Sequence, residues 1–102
     1  MTYWMYALNE DGGVIGSKGD SGPMSNALQV DPLTKKLTGF TKSNSEPELG
    51  CCMQVGSYYS RSYSRQDWWM TTPVTEIVSR IESEGKIEVV FKTRNSTYKW
   101  VE

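Results

Sequence analysis

The contrast between apolar and polar positions is sharpest in the last third of the chain. Asp67-Trp68-Trp69-Met70-Thr71-Thr72-Pro73-Val74 leads into Thr75-Glu76-Ile77-Val78-Ser79-Arg80-Ile81. The polar break Glu82-Ser83-Glu84-Gly85-Lys86 follows, then Ile87 to Phe91, and Lys92 to Thr97 leads into Tyr98-Lys99-Trp100. Three apolar runs parted by two short polar breaks predict a meander of antiparallel strands. Val74, Ile77, Val78 and Ile81 also fall at helical spacing, with Thr72 placed to cap and Pro73 at the first helical position. The β-branched residues at Val74, Thr75, Ile77, Val78 and Ile81 favour a strand instead. The turn Thr93-Arg94-Asn95-Ser96-Thr97 predicts a tight hairpin with Asn95 as its left-handed residue.

Earlier elements are shorter. Thr2 to Leu8 is aromatic and strand-like, either buried on both faces or carrying an aromatic outer face. Asn9-Glu10-Asp11-Gly12-Gly13 then supplies the positive φ of a hairpin turn, with Val14-Ile15-Gly16 as a brief return strand. From Gly16 to Pro23 the run Gly-Ser-Lys-Gly-Asp-Ser-Gly-Pro predicts a surface loop. A lysine among glycines can cradle phosphate, but the run fits neither the Walker nor the dinucleotide pattern.

Leu28 and Val30 alternate weakly before the Asp31-Pro32 turn. Leu33, Leu37 and Phe40 sit at helical spacing, while Lys36 to Thr41 fits a strand that exposes Leu37. The threonines and Gly39 argue against a stable helix, and the segment stays open between the two. Thr41 to Leu49 predicts a second long loop, and Gly50-Cys51-Cys52-Met53-Gln54-Val55-Gly56 a central strand. Ser57 to Gln66 alternates hydroxyls with rings and two guanidiniums and holds no aliphatic residue, so it is no core strand.

The fold class expected is mainly β: one small domain over residues 1–102, an antiparallel sheet or barrel-like meander with room for one short helix. At 102 residues the core is thin and association with a second copy would help to bury it. The chain holds four Trp and six Tyr at a hydrophobic fraction of 37%, so much of that core must come from rings. Eleven Lys and Arg against twelve Asp and Glu leave a net charge of -1, which disfavours a long nucleic acid or an anionic membrane as partner but permits a local basic patch. No apolar run reaches the roughly 20 residues of a bilayer span, and Met1 to Leu8 lacks a signal peptide's features, so a cytoplasmic protein is expected.

Cys51 and Cys52 read first as buried, idle thiols. An intermolecular bridge or metal site is the alternative, though no histidine or third cysteine completes a zinc set. Without histidine the usual general base is missing as well, and neither an enzyme nor a bound cofactor or metal is expected. What stands out is ring and guanidinium content. Tyr58, Tyr59 and Tyr63 offer faces for stacking on a base, Arg61, Arg65 and Arg94 offer forks that match phosphate, and Asn95 with nearby serines can read ribose or base edges. Those seven residues are the candidate ligand site. Trp68 and Trp69 are better read as core.

Trp69-Met70-Thr71-Thr72-Pro73-Val74, a strand, and then Thr93-Arg94-Asn95-Ser96-Thr97-Tyr98 resemble small proteins of bacteriophage genomes that end in a strand and a Thr-x-Asn-Ser-x-Tyr turn. The resemblance covers the C-terminal third and carries over no functional residue. It implies host-defence antagonism of one of two kinds: sponges for cyclic nucleotide or cyclic ADP-ribose signals, such as anti-Thoeris and anti-CBASS proteins, or anti-CRISPR-like inhibitors that contact a defence complex. Joined to the ring and guanidinium content, it leads to the expectation of a non-enzymatic, homo-oligomeric protein that sequesters a small nucleotide-derived immune signal in the host cytoplasm. Contact inhibition is the alternative.

Overall fold

A computed structural model describes residues 2–31, 33–34, 36–56 and 68–102, with the backbone alone at 17–21, 39–40 and 68–69. Nine strands follow in order: β1 Tyr3–Leu8, β2 Val14–Gly22, β3 Met24–Val30, β4 Leu37–Lys42, β5 Cys51–Gly56, β6 Trp68–Met70, β7 Val74–Ser83, β8 Lys86–Thr93 and β9 Thr97–Val101. They form a five-stranded sheet in the order β2-β1-β9-β8-β7 and a four-stranded sheet in the order β4-β3-β5-β6. All pairing between these strands is antiparallel. The mainly β expectation holds, and among the described residues the one short helix allowed for is not formed. Among the described residues no helix is long and apolar enough to cross a membrane.

The chain passes between sheets twice, and a proline stands at each passage. Pro23 separates β2 from β3, and Pro73 precedes β7. Proline has no N–H to give a ladder, so strand pairing stops where the chain must change direction. Thr71 bridges the second passage. Its N–H donates to the Met53 carbonyl at 2.8 Å, and its hydroxyl accepts from the Met53 N–H at 3.0 Å.

Period-2 alternation builds the core. Tyr3, Met5 and Ala7 of β1, Val89 and Phe91 of β8, and Tyr98 and Trp100 of β9 are buried with Ala27, Cys51, Met53, Val55 and Val74. Ile77 of β7 packs against this cluster, which is why Val74 to Ile81 is a strand: its partner is the Phe91 row. β5 is buried at all six positions and pairs on both edges, as a central strand should. Trp100 lies between the sheets with 1% of its surface exposed. Its indole N–H donates to Ser25 Oγ at 2.8 Å, and Ser25 Oγ in turn donates to the Ser45 carbonyl at 2.7 Å. The Ser45 N–H donates back to the Ser25 carbonyl at 2.8 Å. Tyr3 stacks on Trp100 with ring centroids 5.5 Å apart.

Two expectations are corrected, and one segment left open is resolved. Gly16 to Pro23 was expected to be a loop, yet residues through Gly22 belong to β2. A ladder needs only backbone N–H and C=O groups, and register shifts opposite β1 absorb the small residues as bulges. The segment left open at Leu33 to Phe40 resolves as turn and strand, β4, with Leu37 exposed as the strand reading required. Asn95 is not left-handed. Among the described non-glycine residues positive φ falls at Asn44 (54°) and Glu84 (51°). Glu84 and Gly85 (78°) make the two-residue turn between the paired Ser83 and Lys86, where both central residues need φ above zero. At Thr93 to Ser96 the Thr93 N–H closes onto the Ser96 carbonyl at 2.9 Å, and Asn95 keeps a negative φ.

The Thr41 to Leu49 loop is shorter than expected and is held down. Thr41 and Lys42 belong to β4, Ser45 and Pro47 are buried, and Leu49 bridges Val74. Arg80 of β7 reaches over to it, Nε to Glu46 Oε1 at 2.6 Å and Nη2 to Glu46 Oε2 at 2.9 Å. The Arg80 hydrogen bond holds the Glu46 carboxyl below its ordinary pKa, with partial burial opposing.

Two measurements check these supports. Ser25→Ala orphans the buried indole N–H and one loop carbonyl, so it lowers stability by about 1–3 kcal/mol in urea unfolding. For Glu46 the folded pKa is depressed, so its contribution is present above the unfolded value near about 4.3 and is lost as pH falls through the folded one. Glu46→Gln therefore lowers the urea midpoint at neutral pH, and the gap from wild type closes as the pH is taken below the ordinary carboxylate range.

Candidate functional site

The pairing of the first strand with the last builds the site. Leu8 of β1 stands opposite Thr97 of β9, and Thr97 stands opposite Lys92 of β8. One row of the five-stranded sheet thus runs Leu8, Thr97, Lys92, and the β1–β2 and β8–β9 turns rise beside each other beyond it. Between them is a concavity of ≈ 540 Å³ lined by Leu8, Asn9, Glu10, Ile15, Lys92, Arg94, Asn95 and Thr97 among others. That volume lies within the range of small-ligand sites, about 300–1,000 Å³.

Each wall is braced by its own hydrogen bonds. Asn9 Oδ1 accepts from the Asp11 N–H at 3.0 Å and from the Gly13 N–H at 2.8 Å. The Asn9 N–H donates to the Gly13 carbonyl at 2.8 Å, and Gly12 closes the turn with φ +84°. Gly13 is tightly placed, since a Cβ there would stand 3.2 Å from Asn9 Nδ2. On the other wall Thr93 is buried, and its N–H and hydroxyl both donate to the Ser96 carbonyl, the hydroxyl at 3.4 Å. This leaves Arg94 and Asn95 at the exposed tip. Among the described residues neither side chain is taken up by a protein hydrogen bond or ion pair, and the same holds for the Lys92 ammonium. Two cations, two amides and the Thr97 hydroxyl therefore face a space with one carboxylate, Glu10. This set can neutralise a phosphate and read polar edges, while it lacks a base–nucleophile pair.

Of the seven residues expected to form the site, Arg94 and Asn95 are brought together here. Tyr58, Tyr59, Arg61, Tyr63 and Arg65 lie outside the described residues, and so do the side chains of Trp68 and Trp69. Sequence reasoning missed Asn9, Lys92 and Thr97. The Asn-x-x-Gly-Gly turn was legible as a turn, but nothing local to it says that the chain's last hairpin stands next to it.

The two cysteines are free and buried, on opposite faces of β5. Burial pushes both thiols up in pKa. For Cys51 the Glu48 carboxylate adds to this and Lys42 opposes it, and for Cys52 the neighbouring Cys51 adds to it. Among the described residues no group of three His, Cys, Asp or Glu is placed to hold a metal ion. No protein-family model, curated protein or solved structure matches the chain.

Buried, protonated thiols react slowly. Iodoacetamide at pH 8 is expected to label neither cysteine of the folded protein over minutes and both in urea, counted by intact mass. Rapid labelling of either in the folded state would contradict their placement.

Proposed function

We propose that the protein binds and sequesters a small phosphorylated, nucleotide-derived signal of the cyclic oligonucleotide or cyclic ADP-ribose class without turning it over. The observation that carries this reading is the cleft lined by Arg94, Lys92 and Asn95, which have no protein partners of their own among the described residues. A charged group left unpaired at the rim of a concavity is free to exchange water for ligand oxygens, and the guanidinium can do so through two bonds at once. The net charge of -1 argues in the same direction, since local cations on a chain without an overall positive field suit a compact anion better than a polymer. Likeness of the C-terminal third to small phage proteins supports placing this capture in antagonism of host defence, in the host cytoplasm. Association with a second copy would close the open side of the cleft.

A second reading, contact inhibition of a defence complex in the anti-CRISPR manner, draws on the exposed Trp4, Val78 and Ile81 of the five-stranded sheet. The two separate in one experiment. Purified protein is mixed with cyclic dinucleotides, cyclic trinucleotides and cyclic ADP-ribose isomers, freed of unbound ligand, and heat-denatured. Capture predicts release of one intact ligand. Arg94→Ala is expected to weaken that binding by about 10-fold or more, the worth of a charge-assisted hydrogen bond, with the unfolding midpoint unchanged. Failure of the whole panel to bind would remove the capture reading and leave contact inhibition.

A further inference from the structure

We propose that the signal carries a guanine base, and that Asn9 and Glu10 on the β1–β2 turn read its edge while Arg94 and Lys92 hold a phosphate from the other wall of the cleft. The inference rests on the phosphate-binding reading of the cleft and adds the base that it selects.

The two walls differ in chemistry. Lys92, Arg94, Asn95 and Thr97 come from the β8–β9 hairpin, and Asn9 and Glu10 come from the β1–β2 turn. The Asn9 amide has one orientation, because Oδ1 accepts the Asp11 N–H at 3.0 Å and the Gly13 N–H at 2.8 Å. With its oxygen committed to two backbone donors, the amide is left with Nδ2 as a fixed donor. Among the described residues that nitrogen has no acceptor. Glu10 follows it in the chain and is exposed in the same lining. Among the described residues its carboxylate forms no ion pair with Lys92 or Arg94 and accepts no hydrogen bond. The turn therefore presents a positioned donor and, on the next residue, two carboxylate oxygens that nothing in the described protein occupies.

A carboxylate in an anion site repels the ligand's phosphate unless donors on the ligand meet it. Guanine supplies them. Its N1–H and N2 amino group lie side by side and match the two oxygens of one carboxylate, and O6 next to them accepts from an amide. One donor and two acceptor oxygens on the turn are thus the complement of one acceptor and two donors on the base. Adenine has a single donor on the same edge, next to an acceptor nitrogen, and leaves one carboxylate oxygen unmet. Uracil flanks its one N–H with two carbonyls and meets the carboxylate no better. A ribose cis-diol also carries two adjacent hydroxyl donors, but it makes no use of a fixed amide donor that guanine would not use better. Leu8 and Ile15, the latter 66% exposed, add the apolar surface that a purine face covers. Glu10 in this way turns a cleft that tolerates many phosphates into one that selects among bases.

The test titrates the full-length chain by calorimetry with the cyclic dinucleotides of guanosine, inosine and adenosine, and with cyclic ADP-ribose. The guanosine form is expected to bind about 10-fold or more tightly than the adenosine form, with inosine, which lacks the N2 amino group, in between. Glu10→Gln should weaken the guanosine form about 10-fold and strengthen the adenosine form, since the variant removes a negative charge and adds a donor for adenine's acceptor nitrogen. Opposite changes in two ligands are not produced by a loss of folding. Asn9→Asp keeps the oxygen that caps the turn and exchanges the donor for an acceptor, so it should lower the guanosine-to-adenosine ratio independently. Arg94→Ala should weaken all the cyclic dinucleotides and leave their ratios as they were. A wild-type chain with no guanosine preference, or a preference that survives both Glu10→Gln and Asn9→Asp, would overturn the guanine assignment, while an Arg94-dependent affinity kept the cleft reading intact. Glu10-dependent binding of cyclic ADP-ribose alone would overturn it too, and would give the carboxylate to a ribose diol. If none of these ligands binds, the guanine assignment falls, and the cleft reading is decided by the trinucleotide arm of the capture experiment.

Discussion

Two sheets stacked face to face are not registered to each other by backbone pairing, so something else must fix how one sits over the other. Here the Trp100 indole does this. Among the described residues it is the largest fully buried side chain, it belongs to the middle strand of one sheet, and its single N–H donates to Ser25 in the other. An apolar ring in that position could slide, because dispersion is non-directional. A buried N–H cannot move off its acceptor without the cost of an unsatisfied donor. Ser25 passes the constraint on by donating to Ser45, so the loop between β4 and β5 is tied to the same point. Tyr3, stacked on Trp100, ties in the first strand of the chain.

The consequences for the site follow from which strand is fixed. β9 lies between β1 and β8, so holding Trp100 in place also sets the two strands whose turns flank the cleft. Neither turn contributes much to the core. Each is rigid through short-range hydrogen bonds, Asn9 to its own turn and Thr93 to Ser96, and each leaves its polar tip free. A rigid sheet end with internally satisfied turns is a suitable mount for groups that must meet a ligand without first reorganising.

Much of this fold was legible because alternation reports burial directly. Ile87 to Phe91 and Tyr98 to Trp100 show which side chains face inwards, and the glycine pair at 12 and 13 with Gly85 marks two of the hairpins. The β-branched run from Val74 outweighed its helical spacing, and its partner strand explains why. Other features were not legible because they are not properties of a local window. Gly16 to Gly22 has almost nothing to pack, and it is a strand because β1 offers it a backbone edge. The left-handed position fell at Glu84 rather than Asn95, since the tight turn before Gly85 demands positive φ and the Thr93 hairpin closes without it. The site was half legible. Arg94 and Asn95 could be named from chemistry and turn position alone, and Lys92 and Thr97 flank them in the same hairpin, but Asn9 joins them only through the pairing of the chain's two ends, some ninety residues apart in sequence.

The aromatic residues of β1 show how one register sets both the core and the outer face of a sheet. Tyr3-Trp4-Met5-Tyr6 contains three rings in four positions, and a slip of one residue in the pairing with β9 would exchange the buried and exposed sets. Trp4 and Tyr6 would then have to fit where Met5 and Tyr3 now pack, and a core already holding Trp100 and Phe91 at full burial has no room for them. Overpacking of that kind costs about 1–3 kcal/mol for even small excesses of volume. The register that keeps Tyr3 against Trp100 is therefore the same register that holds Trp4 and Tyr6 outwards beside Lys99. The exposed rings need no special device to keep them in the solvent, because the core excludes them. A surface made in this way is fixed as firmly as the interior.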